Sequence, residues 1–260
     1  MNQLLRMLHR SELQTYIRLI WDMKMRSLLA VLATFAVAAV GNSRLAAAED
    51  DGVALAIIYD TSGSMKDRVA SASGRSAPKY EIANRALIAV TKQIETFAAN
   101  KAAGGARTIH VGLFVFDGER AREVVKFGPF DATALESFAK RFANPNGNTP
   151  LGNSLNTAAK TVLDSPLPRK HVLIITDGLN TAGPKPEVVL PRVKQQAATK
   201  QTSVSVHFVA FDVDARQFDT LKKQGATVVA AADENQLNAQ LQFILQKKIL
   251  LEDEEPPQKK

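Results

Sequence analysis

Residues 53–65 read VALAIIYDTSGSM, an apolar run that ends in a cluster of oxygen-bearing side chains. The first seven residues are apolar at nearly every position without strict alternation, which is typical of a strand buried on both faces of a parallel sheet. In open α/β sheets, ligands bind beyond the carboxyl ends of such strands. We therefore expect the polar residues after Tyr59 to lie at a binding site.

Asp60, Ser62 and Ser64 place one carboxylate and two hydroxyls at alternate positions, and Gly63 is expected to permit a tight bend between the hydroxyls. These are hard oxygen donors, the type that Mg²⁺, Mn²⁺ and Ca²⁺ prefer. The same D-x-S-x-S pattern also describes a helix N-cap followed by a turn, because Asp and Ser are favoured in both. The pattern alone leaves both interpretations open.

Two later loops carry similar donors. Residues 146–152 read NGNTPLG and contain Thr149, and residues 174–178 read IITDG, so that Asp177 ends another apolar run. Thr149 precedes Pro150, a good first helical residue, and could therefore be an N-cap, a metal ligand or both. Asp177 with Gly178 could equally be a simple turn at the end of a strand.

The combination of D-x-S-x-S, a lone Thr in a Gly-rich loop and an Asp at a strand end resembles the von Willebrand factor type A (VWA) family, over about residues 53–248. In that family these pieces form the metal-ion-dependent adhesion site (MIDAS). The resemblance implies that Ser62 and Ser64 bind Mg²⁺ directly, with Mn²⁺ or Ca²⁺ as alternatives. It implies that Thr149 binds directly in the ligand-occupied state, whereas Asp60 and Asp177 act mostly through coordinated waters. The cation would then bind an Asp or Glu carboxylate of another protein.

Strand-like runs alternate with helical periodicity along the chain, which predicts an α/β, doubly wound, mostly parallel six-stranded sheet with helices on both faces. The turn signal Asp117-Gly118 predicts that residues 121–127 return as a short antiparallel edge strand. Residues 65–77 show no apolar periodicity and are predicted to be a loop at the rim of the site. This loop either helps to select the partner or is a surface insertion without a function. A helix is expected to begin near Ser76, with Pro78 in its first turn.

The N-terminal region resembles a secretory signal peptide. Residues 27–40 are uncharged and apolar, follow Lys24 and Arg26, and are shorter than the ~20 residues that a spanning helix needs. We predict a signal peptide at residues 1–48, with Met23 or Met25 as alternative starts, a VWA domain at 49–250 and a disordered tail at 251–260. The protein is therefore expected to be exported, to the periplasm or outside the cell, with no membrane span after cleavage. An uncleaved membrane anchor is the alternative.

Composition narrows the possible functions. Residues 1–48 contribute a net charge of +4 to the total of +7, and the remaining +3 is too small to indicate nucleic-acid binding. The chain has no cysteine, and it contains neither a G-x-S-x-G nucleophile elbow nor a GK[ST] phosphate loop. His110, His171 and His207 lie in predicted strands and are expected to be structural. We therefore predict a bacterial-type adhesion or docking domain and not an enzyme, with a metal-dependent hydrolase or a metal-free scaffold as alternatives.

Overall fold

The apolar run at residues 53–59 forms a central strand of a six-stranded sheet. The structure is a computed structural model that describes residues 52–99 and 108–251. The predicted signal peptide and the predicted tail beyond Leu251 lie outside the described residues and stay predictions.

The main sheet has the order β5-β4-β1-β6-β7-β8, and only the β4–β5 pair is antiparallel. A separate two-stranded antiparallel hairpin consists of β2 and β3. The strands are β1 Val53–Tyr59, β2 Arg68–Ala70, β3 Ser76–Pro78, β4 Ile109–Asp117, β5 Arg120–Pro129, β6 Arg169–Thr176, β7 Ser205–Phe211 and β8 Thr227–Ala231. The predicted sheet is thus confirmed, although β5 is longer than the short edge strand that the sequence indicated.

Helices cover both faces of this sheet. They are α1 Lys79–Ala99, α2 Ala132–Arg141, α3 Leu151–Leu163, α4 Pro186–Thr199, α5 Asp219–Lys223 and α6 Glu234–Ile244, which continues as a π-helical turn over Leu245–Leu250. One core packs α1, α2 and α6 against the sheet, and the other packs α3, α4 and α5 against the opposite face. Asp131 caps α2 and Asp233 caps α6 through their side chains, as N-terminal Asp residues commonly do.

β1 contributes to both cores, which explains why its sequence does not alternate. Leu55 and Ile57 pack toward α1, whereas Ala56 and Ile58 pack toward α3, and all four side chains are fully buried. Burial of one Leu or Ile side chain contributes about 1.5–3 kcal/mol, so both faces of this strand stabilise the sheet. The strand ends at Tyr59, between β4 and β6, where the chain order of the sheet changes direction.

The segment after Ser64 is more regular than the sequence indicated. Gly63–Lys66 forms a short 3-10 helix, and all of the β2–β3 hairpin except Pro78 lies in the predicted loop at 65–77. Pro78 is the last residue of β3, so the prediction that it lies in the first turn of a helix is wrong, and α1 begins at Lys79. Strands of three residues are too short to carry apolar periodicity, which explains the error.

No helix within residues 52–99 and 108–251 is both long enough and apolar enough to cross a membrane.

Candidate metal centre

The five predicted ligands meet at the carboxyl edge of β1 and β6. Asp60 follows β1, Ser62 and Ser64 lie at the 3-10 helix, Thr149 lies in the loop before α3, and Asp177 follows β6. Parallel neighbouring strands end at the same edge of a sheet, and the switch in chain order between β1 and β6 opens a crevice there. The fold therefore brings together residues that are more than a hundred positions apart in the chain.

A chain of hydrogen bonds links the hydroxyl and carboxylate groups. The Oγ atoms of Ser62 and Ser64 are 3.1 Å apart, and Ser64 Oγ donates to Asp177 Oδ1 at 2.8 Å. The hydroxyls of Ser64 and Thr149 each lie 3.8 Å from the point where a Cβ on Gly178 would stand, so both face the same small space. These four side chains converge, Asp60 joins them through its hydrogen bond from Ser62 N–H, and the role of all five as metal ligands stays a prediction.

Asp60 is completely buried, and both of its carboxylate oxygens accept hydrogen bonds. Oδ1 accepts from the backbone N–H of Ser62 at 2.8 Å, and Oδ2 accepts from Thr176 Oγ1 at 2.6 Å. Burial, and next the negative charge of Asp177, raise the pKa of Asp60 to about 6. The ionised site therefore has a high electrostatic free energy, which a bound cation would lower.

Backbone contacts hold the three loops to one another. Gly63 N–H donates to Gly147 O at 3.2 Å, and Asn146 N–H donates to Thr61 O at 2.7 Å. Gly147 has φ +84°, a conformation that favours glycine, whereas Gly63 has no positive φ and a Cβ there would meet only Gly147 O at 3.8 Å. The chain does turn at Gly63, where the 3-10 helix begins, but this turn does not require a glycine, and the glycine that the geometry requires is Gly147.

Thr149 is not a helix cap. α3 begins at Leu151 with Pro150 in the capping position, and the side chain that accepts from its first turn is that of Asn180, whose Oδ1 accepts from Gly152 N–H at 3.2 Å. The backbone of Thr149 is instead fixed by Thr181, whose hydroxyl accepts from Thr149 N–H at 2.8 Å and whose N–H donates to Thr149 O at 3.0 Å. The Thr149 side chain is left to face the site, so the capping alternative is excluded for this residue.

Two charged residues at the site were not found from the sequence. Lys79 is 4% exposed, and its Nζ lies 3.1 Å from Asp177 Oδ2 and 2.9 Å from Asp212 Oδ2. Burial alone would lower the pKa of Lys79, but the carboxylates of Asp212 and Asp177 outweigh it and raise the pKa. No spacing signal in the sequence identifies Lys79, because the β2–β3 hairpin carries it back to the site. Asp212, at the end of β7, has φ +54°, an uncommon conformation that Asp tolerates.

The donor set fits a hard divalent cation. Three neutral hydroxyls and two carboxylates suit Mg²⁺, Mn²⁺ or Ca²⁺, whereas a typical structural zinc site is built from Cys and His. Among the described residues, no group of three His, Cys, Asp or Glu side chains is placed to hold a metal ion. Any cation bound at this edge of the sheet would therefore depend on the hydroxyls of Ser62, Ser64 and Thr149.

Comparison with known families agrees with this geometry. The sequence model of the von Willebrand factor type A domain matches residues 54–244. The chain belongs to this family. No curated protein sequence matches this VWA chain significantly.

Solved structures share the VWA fold at low sequence identity. The PilB minor pilin from Streptococcus sanguinis has a TM-score of 0.54 at 16% identity, over 74% of this chain and 60% of the pilin. An aerotolerance-related membrane protein from Bacteroides fragilis has a TM-score of 0.51 at 17% identity, over 75% and 98%. Proximal thread matrix protein 1 from the mussel byssus, with a zinc-occupied MIDAS motif, has a TM-score of 0.50 at 15% identity, over 75% and 48%. The VWA chain thus spans only part of the pilin and of the byssus protein.

Proposed function

We propose that this VWA domain binds a divalent cation through Asp60, Ser62, Ser64, Thr149 and Asp177, and binds an acidic side chain of a partner protein through that cation. Mg²⁺ is the proposed ion, with Mn²⁺ or Ca²⁺ as alternatives. The observation that supports the proposal is the convergence of three hydroxyls and two carboxylates on one space at the carboxyl edge of the sheet. The zinc-occupied MIDAS motif of the byssus protein also favours a metal at this place in the fold.

The chemistry of the donors favours docking. Neutral hydroxyls reduce the charge of a cation less than directly bound carboxylates do, so a cation held here would offer an open position to an outside carboxylate. Asp60 is held by Ser62 N–H and Thr176 Oγ1, which orients its oxygens without adding charge. The residues of this chain therefore bind and orient, and the partner would supply the last oxygen.

The surface around the site offers further contacts to a partner. Leu179 follows Asp177 by two positions and is 41% exposed, so a partner that binds at the site could contact this apolar side chain. A crevice of about 210 Å³ includes Thr61 and Asn148, which are the sequence neighbours of Ser62 and Thr149. Its lining is mainly polar, so it would accept polar groups next to the partner's carboxylate.

The positions of the described histidines argue against the hydrolase alternative. His171 and His207 are buried near the amino ends of β6 and β7, and His110 lies near the amino end of β4. At about 3.3 Å per residue, His171 is about 17 Å from Thr176 along its strand. None of these imidazoles is placed to act as a general base at the carboxyl edge, which favours a binding role.

Calorimetric titration with Mg²⁺ and Mn²⁺ tests the metal site. Wild-type protein should bind either ion, and Thr149→Val should bind more weakly because it loses one hydroxyl at nearly constant shape. Thr157→Val is the matched control, because Thr157 is exposed on α3, and should bind as the wild type does. If neither ion releases heat or changes the melting temperature of the wild type, the metal-free scaffold is the better interpretation.

Capture from the envelope of the producing cell tests the docking role. Proteins held by immobilised wild type in Mg²⁺, but not in EDTA or by Thr149→Val, are the expected partners. Replacing the contacting Asp or Glu of such a partner by Asn or Gln should abolish capture. Hydrolysis of a phosphoester or peptide library by wild type, but not by Ser62→Ala, would instead favour an enzyme.

We also propose that the protein is exported to the periplasm or beyond, which the apolar stretch at residues 27–40 supports. N-terminal sequencing of the mature protein should start at Glu49. A mature protein that retains residues 27–40 would favour the uncleaved anchor.

A further inference from the structure

We propose that Lys79 is a tethered counter-cation that weakens metal binding and strengthens the attraction of the loaded site for a carboxylate. This inference rests on the proposed function, because it concerns the same site. It goes beyond the five motif residues, since Lys79 lies outside the D-x-S-x-S stretch and is brought to the site by the hairpin.

The contacts of Lys79 place a positive charge next to the predicted ligands. Its ammonium lies between the carboxylates of Asp177 and Asp212, at 3.1 and 2.9 Å. Asp177 is itself the acceptor of Ser64 Oγ, so only one side chain separates the ammonium from a predicted ligand hydroxyl. Lys79 N–H donates to Asp67 O at 2.8 Å, which fixes the start of α1 and the origin of the side chain.

The charges in the cluster explain both effects. Asp60, Asp177 and Asp212 carry three negative charges and Lys79 carries one positive charge, so a bound divalent cation would make the cluster neutral. Without Lys79 the loaded cluster would keep a net charge of −1, which repels an incoming carboxylate. The ammonium also repels the metal, so its removal should tighten metal binding. The positive charge of Lys79 thus weakens binding of the metal ion and strengthens binding of the incoming carboxylate.

A purely structural role of Lys79 predicts the opposite change in metal affinity when this side chain is removed. If Lys79 only holds Asp177 in place, its removal should loosen Asp177 and weaken metal binding. Asp212 offers a complementary test, because its side chain is half-exposed and its backbone conformation suits Asn. Removal of its charge should weaken metal binding, and Lys79 would then lie against Asp177 alone.

The test measures Mn²⁺ affinity by calorimetry for wild type, Lys79→Met, Lys79→Arg and Asp212→Asn. Lys79→Met should bind Mn²⁺ on the order of tenfold more tightly and Asp212→Asn several-fold more weakly, whereas Lys79→Arg should stay near wild type. Lys170→Met is the matched control, since Lys170 is another buried lysine but lies at the amino end of β6, where its Nζ donates to Ser165 O. This variant should lose stability without a change in Mn²⁺ affinity.

Acetate binding to the Mn²⁺-loaded proteins supplies the second measurement, read from water-proton relaxation as acetate displaces bound water. Lys79→Met should bind acetate several-fold more weakly, although it holds Mn²⁺ more tightly. If Lys79→Met fails to fold, the Mn²⁺ affinity of Asp212→Asn supplies the test instead. An unchanged or tighter affinity in that variant overturns the proposed counter-cation role of Lys79. Weaker Mn²⁺ binding by a folded Lys79→Met also overturns it and leaves the proposed function intact, whereas a wild type that binds no Mn²⁺ overturns both.

Discussion

Replacement of Asp60 by Asn should stabilise the metal-free protein while removing its response to metal. The variant loses no hydrogen bond: Asn Oδ1 can accept from Ser62 N–H, and Asn Nδ2 can donate to Thr176 Oγ1. The Thr176 hydroxyl can then donate to Gly178 O, which lies 3.2 Å away. The change therefore removes a buried negative charge and little else.

The pKa of Asp60 sets the size of this effect. Burial, and next the charge of Asp177, raise that pKa from 3.8 to about 6, which corresponds to about 3 kcal/mol. Because the folded state holds this proton more tightly than the unfolded state, the stabilisation is complete below about pH 4 and is lost as the pH rises through about 6. Asn keeps its neutral amide throughout. The free energy of unfolding of the variant should therefore exceed that of wild type by up to about 3 kcal/mol above pH 7.

Urea unfolding in EDTA at pH 5 and pH 7.5 measures this difference. Between the two values, the advantage of Asp60→Asn over wild type should grow by about 1.4 kcal/mol. Addition of Mg²⁺ at 100 times its dissociation constant should stabilise wild type by about 2.7 kcal/mol and leave the variant unchanged. Asp131→Asn is the control, because Asp131 caps α2 at an exposed position where Asn caps equally well.

Three results would refute this reasoning. If Asp60→Asn is less stable than wild type in EDTA at pH 7.5, the ionised carboxylate does not destabilise the fold. If the variant is still stabilised by Mg²⁺, the charge of Asp60 is not needed to bind the ion. Equal stability of variant and wild type at both pH values would show that the pKa of Asp60 is not raised.

Three further predictions concern other parts of the domain. Burial lowers the pKa of His171 to about 3 and that of His207 to about 4, so the unfolded state takes up protons at these histidines before the folded state does and the free energy of unfolding falls as the pH drops below about 6.5. Urea unfolding should show a loss of about 2 kcal/mol per histidine between pH 7 and 5. The double variant His171→Leu with His207→Leu should not show this loss. Gly147→Ala should lower the free energy of unfolding by about 1–2 kcal/mol through its positive φ, whereas Gly63→Ala should change it much less, as chemical denaturation can check. Leu179→Ala should weaken partner capture and leave the calorimetric Mn²⁺ affinity unchanged.

The sheet and the convergence of its loops could be predicted because their signals are local. The unbroken apolar run of β1 indicates a strand buried on both faces, and the turn at Asp117-Gly118 indicates the return of β5. Once β1 and β6 are assigned to one parallel sheet, their carboxyl ends must meet. The neighbourhood of Asp60 and Asp177 therefore follows from topology, without knowledge of any side-chain contact.

The hairpin and the contacts of Lys79 could not be predicted in this way. β2 and β3 have three residues each, too few for a period of two to be recognised among polar residues. The ion pair between Lys79 and Asp177 spans 98 positions and depends on the path of that hairpin. The cap at Thr149 was a reasonable alternative from the sequence, and only the start of α3 at Leu151 excludes it.

The motif residues and the charges around them determine different properties of the site. Ser62, Ser64 and Thr149 supply neutral oxygens, so they decide which kind of ion fits, but they contribute little to the net charge. The charge depends on Asp60 and Asp177 in the motif and on Lys79 outside it, and a buried charge acts strongly because little water screens it. Two VWA domains with the same five motif residues should therefore differ in metal affinity when one has an apolar residue in place of Lys79. The five motif residues predict that a cation can bind, whereas the buried ion pair beside them should set how tightly that cation is held and how strongly it attracts a partner.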